Sequence, residues 1–245
     1  MKVSNNIHFI YRFILPFLCL LLALVSPAMA KTRVVIDASH GGSDIGIEAG
    51  SETEKDWNYK IAQALQKAFE DAGYEVVLIR KGDTSVPPEK RVEATNTSQA
   101  ALAIILHADR EWTGAQRGPF LVVEPPSRVE PGESAEIQKW GFTTLSQFRS
   151  SLRLARAVAQ RLGVGTEISN LSDSRGTMGE ATNAEGRILC VPHQSLRYLT
   201  LPSVVLVPMF LTSKSDIKKF SVGSSMTQFA TQVVAGSSEF LQGAP

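Results

Sequence analysis

The pattern of apolar and polar residues predicts an alternation of strands and helices. Short apolar runs rich in β-branched residues predict five strands, over residues 33–37, 75–79, 101–106, 119–124 and 203–207. Helical spacing of apolar residues, together with start and stop signals, predicts four helices, over residues 53–72, 87–96, 151–162 and 226–241.

The order of these elements favours an α/β fold. Strand, helix, strand, helix, strand is typical of parallel strands joined by crossover helices. The continuously apolar run at residues 101–106 predicts a central strand, buried on both faces. Residues 125–147 are rich in Pro, Ser and Glu and are predicted to be a loop or an inserted flap. Residues 163–187 hold five glycines and are predicted to be mostly loop. We therefore expect a single domain, with a mostly parallel twisted sheet flanked by helices on both faces.

The first 30 residues have the composition of a secretory signal peptide. Lys2 and Arg12 both precede an apolar run at residues 13–25. The sequence Ala28-Met29-Ala30 then forms a small-x-small cleavage site. A membrane anchor is the alternative, but a spanning helix needs about 20 apolar residues. The apolar run is shorter and contains Pro16. We expect cleavage after Ala30, a mature domain over residues 31–245, and no stable membrane anchor thereafter.

Removing residues 1–30 from the 245 changes the composition. Two of the 25 basic residues and none of the 24 acidic ones are lost, so the net charge changes from +1 to −1. A nucleic-acid-binding domain usually has a strong basic excess, so we expect no nucleic-acid partner. Cys190 is the one cysteine left, which excludes an intrachain disulfide and favours a bacterial periplasm or cell envelope.

Three residues with metal-binding side chains fall near the ends of predicted elements. His40 follows the first strand, His107 follows the third, and Glu54 lies at the start of the first helix. Ligands in open parallel sheets gather beyond the carboxyl ends of the strands. Two imidazoles and one carboxylate form a common zinc set that leaves positions open for water and substrate. The alternatives are two loop histidines and a glutamate that favours a helix N-terminus.

The residues around this candidate site resemble a known family. The sequence VVIDASHGGSDIGIEAGSETEKD at residues 34–56 is similar to the opening of zinc-dependent N-acetylmuramoyl-L-alanine amidases of the type-3 amidase family, and further blocks reach Ile105–Asp109 and the C-terminal region. The resemblance implies that His40, Glu54 and His107 are zinc ligands. It also implies hydrolysis of the bond between N-acetylmuramic acid and L-alanine in peptidoglycan, with a zinc-activated water as the attacking group.

One position departs from the family pattern in a way that affects the chemistry. The family has a catalytic glutamate near its C-terminus, and Val207 occupies that position here. A valine cannot transfer protons, a role that contributes typically 10²–10⁴-fold in rate. His193 is a possible substitute base, although a surface loop histidine is the simpler interpretation, and Glu180 and Glu185 are further candidates.

The sequence thus leaves three functions open. The first is a zinc amidase that cleaves peptidoglycan, and the second is a catalytically impaired member that binds peptidoglycan or regulates its turnover; Val207 is the residue that separates these two. The third is a small-molecule zinc deacylase on the same scaffold, which needs only an altered pocket. The expected partner is peptidoglycan, and the sequence does not identify a protein activator.

Overall fold

The computed structural model describes residues 30–110, 118–126, 143–170 and 187–243. From Thr32 onward the described residues belong to one unit. Apart from Ala30, the predicted signal segment lies outside the described residues, so its cleavage stays a prediction. Within the described ranges, no helix combines the length and the apolar character needed to cross a membrane.

The described residues form nine strands and five helices. The strands are β1 (Arg33–Ala38), β2 (Glu48–Ala49), β3 (Glu52–Thr53), β4 (Glu75–Leu78), β5 (Leu102–Leu106), β6 (Phe120–Val123), β7 (Ile168–Asn170), β8 (Ile188–Cys190) and β9 (Ser203–Val207). The helices are α1 (Glu54–Asp71), α2 (Pro88–Thr97), α3 (Leu145–Leu162), α4 (Lys214–Phe220) and α5 (Gly223–Leu241).

Seven of the strands form one sheet in the order β4-β1-β5-β9-β6-β8-β7. The first four strands are parallel, as are the last three, and the two groups meet at an antiparallel pairing of β9 with β6. Strand β5 lies between β1 and β9, which confirms its predicted interior position. The mostly parallel α/β fold predicted from the sequence is confirmed.

The sheet has a buried core on each face because side chains alternate along its strands. Val34 and Ile36 of β1 pack on one face with residues of α1, α3 and α5. Val35 packs on the other face, which is covered by α2 and by apolar residues of the segment 191–201. Helices therefore flank both faces, as predicted, with more of them on the first.

The predicted boundaries differ from the structure in several places. Helix α3 begins at Leu145, inside the segment predicted to be loop, because the Thr144 hydroxyl caps it by accepting a hydrogen bond from the Gln147 amide at 3.1 Å. Strand β7 lies within the glycine-rich stretch, and β8, the β2–β3 hairpin and α4 were not predicted. Elements of two or three residues are too short to show a hydrophobic period, so pairing with neighbours defines them.

Candidate functional site

The carboxyl ends of three neighbouring strands bring together residues that are distant in sequence. Strands β1, β5 and β9 lie side by side, and their register aligns Ala38 with Leu106 and Leu106 with Leu206. His40 lies two residues after Ala38, His107 directly follows Leu106, and Val207 directly follows Leu206. Both histidines therefore reach the same edge of the sheet as the end of β9.

The first residue of α1 places a carboxylate between the two histidines. Glu54 is 2% exposed. Its Oε2 lies 3.2 Å from His40 Nε2 and its Oε1 lies 2.8 Å from His107 Nδ1. One potential ligand atom from each of the three residues lies within 4.8 Å of the others. The structure thus brings together the three residues that the sequence identified as candidate ligands.

Two further contacts fix the orientation of these side chains. His40 Nδ1 lies 2.9 Å from both carboxylate oxygens of Asp44, which leaves Nε2 facing Glu54. The Ile47 amide donates a hydrogen bond of 3.0 Å to Glu54 Oε2. Carboxylates that bind the second nitrogen of a metal-binding histidine set its tautomer and ring angle. Asp44 is in the position to do this for His40.

The charges of the cluster stabilise one another. Burial on its own raises the pKa of Glu54, but hydrogen bonds from His107 and His40 outweigh this and lower it to about 2. Burial lowers the pKa of His40, yet hydrogen bonds to Glu54 and Asp44 outweigh the burial and raise it. Glu54 is therefore an anion at neutral pH, held between groups that favour its negative charge.

The loop between β1 and β2 has an unusual backbone that the site requires. His40 has a φ of 66°, in the left-handed region that side chains other than glycine rarely adopt. Gly46 has a φ of 66° as well, and a Cβ at this position would lie 2.6 Å from Glu54 Oε2 and 2.8 Å from His40 Cδ2. Glycine at position 46 thus permits the close approach of two candidate ligands.

Two arginines, the buried Arg80 and the half-buried Arg91, hold the loop in place. Arg91 donates hydrogen bonds to the Asp37 carboxylate and to the carbonyl oxygens of Ala38 and His40. Arg80 donates at 2.8 Å to the Ala38 carbonyl and at 2.6 Å to the Lys55 carbonyl, next to Glu54. Both guanidinium groups are therefore engaged within the protein, and Arg80 ties the end of β1 to the start of α1.

A small cavity of about 90 Å³ lies against two of the three candidate ligands, Glu54 and His107. Its lining includes Glu54, His107, Asp109, His193 and Val207. Val207 is 2% exposed. The residue at the expected glutamate position therefore lies beside the cluster, with an apolar side chain.

His193 approaches the cluster, as the substitute-base hypothesis requires. Its ring centroid lies 5.5 Å from that of His107, and its Nδ1 accepts a hydrogen bond of 3.3 Å from the Ser195 amide. Burial, with a smaller contribution from His107, lowers the pKa of His193 to about 4. The imidazole is thus neutral at pH 7, and with Nδ1 accepting, its proton lies on Nε2. Glu180 and Glu185 lie outside the described residues.

Two residues that support the cluster, Asp44 and Asn58, were not predicted from the sequence. Asp44 lies four positions after His40, but a tight loop rather than a helix brings them together. The Asn58 side-chain amide donates a 3.2 Å hydrogen bond to the Ser39 carbonyl and lies 3.5 Å from Glu54 Oε1. Its position one helical turn after Glu54 was the available signal.

Comparisons with known proteins agree on one family. The family described as N-acetylmuramoyl-L-alanine amidase matches residues 34–238. The germination-specific N-acetylmuramoyl-L-alanine amidase of Bacillus subtilis (strain 168) is 30% identical over 101 residues, which cover 34% of this chain and 43% of that protein. N-acetylmuramoyl-L-alanine amidase LytC of the same organism is 24% identical over 196 residues, covering 80% of this chain and 32% of that protein. The chain thus spans less than half the length of these relatives.

A solved structure shows the same fold. The CwlD amidase from Clostridioides difficile, in complex with the GerS lipoprotein, aligns with a TM-score of 0.64 at 18% identity, covering 86% of this chain and 99% of that chain. The family match extends from β1 into α5 and so includes every strand of the sheet and all three clustered side chains. This chain belongs to the type-3 family of N-acetylmuramoyl-L-alanine amidases, a family of hydrolases.

Proposed function

We propose that this chain hydrolyses the amide bond between N-acetylmuramic acid and L-alanine in peptidoglycan, using a zinc ion held by His40, Glu54 and His107. The convergence of these three side chains, in a chain that belongs to the amidase family, carries the proposal. The predicted signal peptide adds a location, the periplasm or cell envelope, where the substrate lies.

The geometry of the cluster fits a zinc ion. Two ligand atoms that each lie about 2.0–2.1 Å from a tetrahedral zinc are roughly 3.3 Å apart. Glu54 oxygens lie 3.2 Å and 2.8 Å from the nitrogens of His40 and His107. The donor set also suits zinc, because two neutral imidazoles and one carboxylate leave a net positive charge on the ion.

When bound, zinc polarises the scissile carbonyl and lowers the pKa of a water molecule. The reaction adds the water oxygen to the carbonyl carbon, breaks the C–N bond, and transfers a proton to the departing amine. Asp44 and the Ile47 amide orient two of the ligands. The Nε2 proton of His193 can stabilise negative charge on the carbonyl oxygen, because His193 lines the cavity and its other ring nitrogen, Nδ1, is the one that accepts from Ser195.

A second candidate function follows from Val207. The side chain lines the cavity but accepts no proton, so the transfer from water to the leaving amine lacks the family's glutamate. The alternative is a chain that binds peptidoglycan through the same site and cleaves it poorly or not at all. Asp109 and His193 are the polar neighbours that could take over part of the proton transfer, and Asp109→Asn and His193→Ala test each of them.

Digestion of purified sacculi separates the two functions. With zinc added, the mature chain should release stem peptides with free L-alanine amines, and His40→Ala and His107→Ala should abolish both the release and stoichiometric zinc. If the chain binds one zinc and sediments with sacculi but releases no peptide, hydrolysis is rejected and the binding function is retained. Val207→Glu should then restore turnover, by up to about 10²–10⁴-fold if the missing base is the whole defect.

A further inference from the structure

A groove of about 540 Å³ adjoins the candidate metal centre. It is lined by His40, by residues of α2, and by the turn over residues 194–198. His40 therefore belongs both to the candidate metal centre and to the wall of the groove. A ligand that places its scissile amide at the cluster can extend one of its two ends into this space.

The charges that line the groove are mainly negative. The carboxylate of Asp37 is matched by the guanidinium of Arg91, which binds it directly. Asp44 and Glu89 also line the groove, and both are exposed. Asp44 is already placed against His40 Nδ1, so Glu89 is the carboxylate of the lining that can bind a ligand's cation. Since the lining contains no further Lys or Arg, the described part of the groove favours a cationic group over an anionic one.

The remaining lining is apolar or aromatic. Val92, Ile105 and Leu199 contribute aliphatic surface. Tyr198 is 45% exposed and offers a ring that a ligand can contact. An elongated ligand with aliphatic segments and a positive charge therefore matches the groove.

We propose that this groove binds the peptide stem of peptidoglycan, and that Glu89 selects stems whose side chain carries a primary ammonium group. This inference rests on the proposed function, because that function places the scissile amide at His40, Glu54 and His107. The glycan lies on one side of that amide and the peptide on the other. A primary ammonium occurs on the peptide side, so the acidic groove matches the peptide rather than the sugar.

Calorimetric titration with a product peptide tests the proposal without requiring turnover. The probes are a stem tripeptide with lysine as its third residue and the same tripeptide with the lysine amine acetylated. We expect the free amine to bind about two- to fivefold more tightly, the range of an exposed ion pair. Glu89→Lys should abolish or reverse this preference, and Glu89→Gln should reduce it with less disturbance of α2.

Glu70→Lys is the matched control for the change in net charge. Glu70 is exposed on α1, which packs on the other face of the sheet. This variant should keep the preference for the free amine. Equal binding of the two peptides by the unmodified chain would overturn the proposal, as would an equal loss in Glu70→Lys.

The titration tests the groove and the sacculus assay tests hydrolysis, so either proposal can be rejected while the other stands. If the amine preference depends on Glu89 but no peptide is released from sacculi, the groove assignment stands and hydrolysis is wrong. If sacculi are cleaved but neither peptide binds, hydrolysis stands and the groove does not hold the stem.

Discussion

Gly46→Ala probes the candidate metal centre without removing any of its side chains. The added Cβ would lie 2.6 Å from Glu54 Oε2 and 2.8 Å from both Glu54 Cβ and His40 Cδ2. Carbon atoms in contact normally lie about 3.5–4.0 Å apart, so Glu54 and His40 must move by several tenths of an ångström. Ligand distances in metal sites tolerate only about 0.2 Å. We therefore expect zinc affinity to fall by at least about tenfold, which corresponds to about 1.4 kcal/mol.

Gly50→Ala is the matched control for the backbone cost. Gly50 has a φ of +68°, close to that of Gly46, but a Cβ there would meet nothing within 4 Å. The left-handed conformation alone costs about 1–2 kcal/mol for a residue with a side chain. For a domain of this size that lowers the melting temperature by about 2–8 °C. Both variants should show this loss, and only Gly46→Ala should also lose zinc.

Competition with a chromophoric chelator measures the zinc affinity, and thermal denaturation with and without zinc measures the stability. The zinc-induced rise in melting temperature should persist in Gly50→Ala and shrink in Gly46→Ala, because stabilisation by a ligand follows its affinity. If Gly46→Ala binds zinc as tightly as the unmodified chain, then His40 and Glu54 do not hold the ion in the arrangement described.

Three further perturbations have defined outcomes. Asp44→Asn should weaken zinc binding by about 10–100-fold because it removes the carboxylate that orients His40. The control Asp71→Asn, which removes a carboxylate from an exposed ion pair, should leave the zinc affinity unchanged in the same chelator assay. Gly236→Ala should lower the melting temperature, although alanine favours helices, because the added Cβ would lie 2.6 Å from the Ala157 carbonyl oxygen. In the control Gly223→Ala the added Cβ would meet nothing within 4 Å, so the melting temperature should not fall. Ile104→Ala, fully buried in β5, should reduce the free energy of unfolding by about 2–5 kcal/mol in urea titrations; a loss below 1 kcal/mol would contradict its core position.

The roles of Arg80 and Arg91 could be assigned only from the tertiary structure. The charge of Arg80 and Arg91 alone does not distinguish a role in binding substrate from a role in holding the loop. In the structure both donate to backbone carbonyls, and Arg91 also pairs with Asp37. Removing either one takes away hydrogen bonds to the backbone around His40, which links both residues to the loop that carries this histidine.

Boundaries and short elements were the least predictable part of the fold. Helix α3 begins at Leu145 because Thr144 caps it there, although the preceding composition predicts loop. Strand β8 has three residues and gains its identity from pairing with β6 and β7. Such elements depend on contacts with distant residues, which a local pattern does not contain.

The sequence by itself determined the main elements of the sheet and the type of chemistry. Continuous apolar runs predict buried strands, and two histidines near strand ends with a glutamate at a helix start identify candidate metal ligands by residue type. Only the tertiary structure decided that β1, β5 and β9 lie side by side, that Asp44 and Gly46 shape the cluster, and that Val207 lines the same cavity. The physical reason is that the local pattern of apolar residues already indicates which segments are buried. A binding site, in contrast, depends on distances of a few ångströms between residues that only packing brings together.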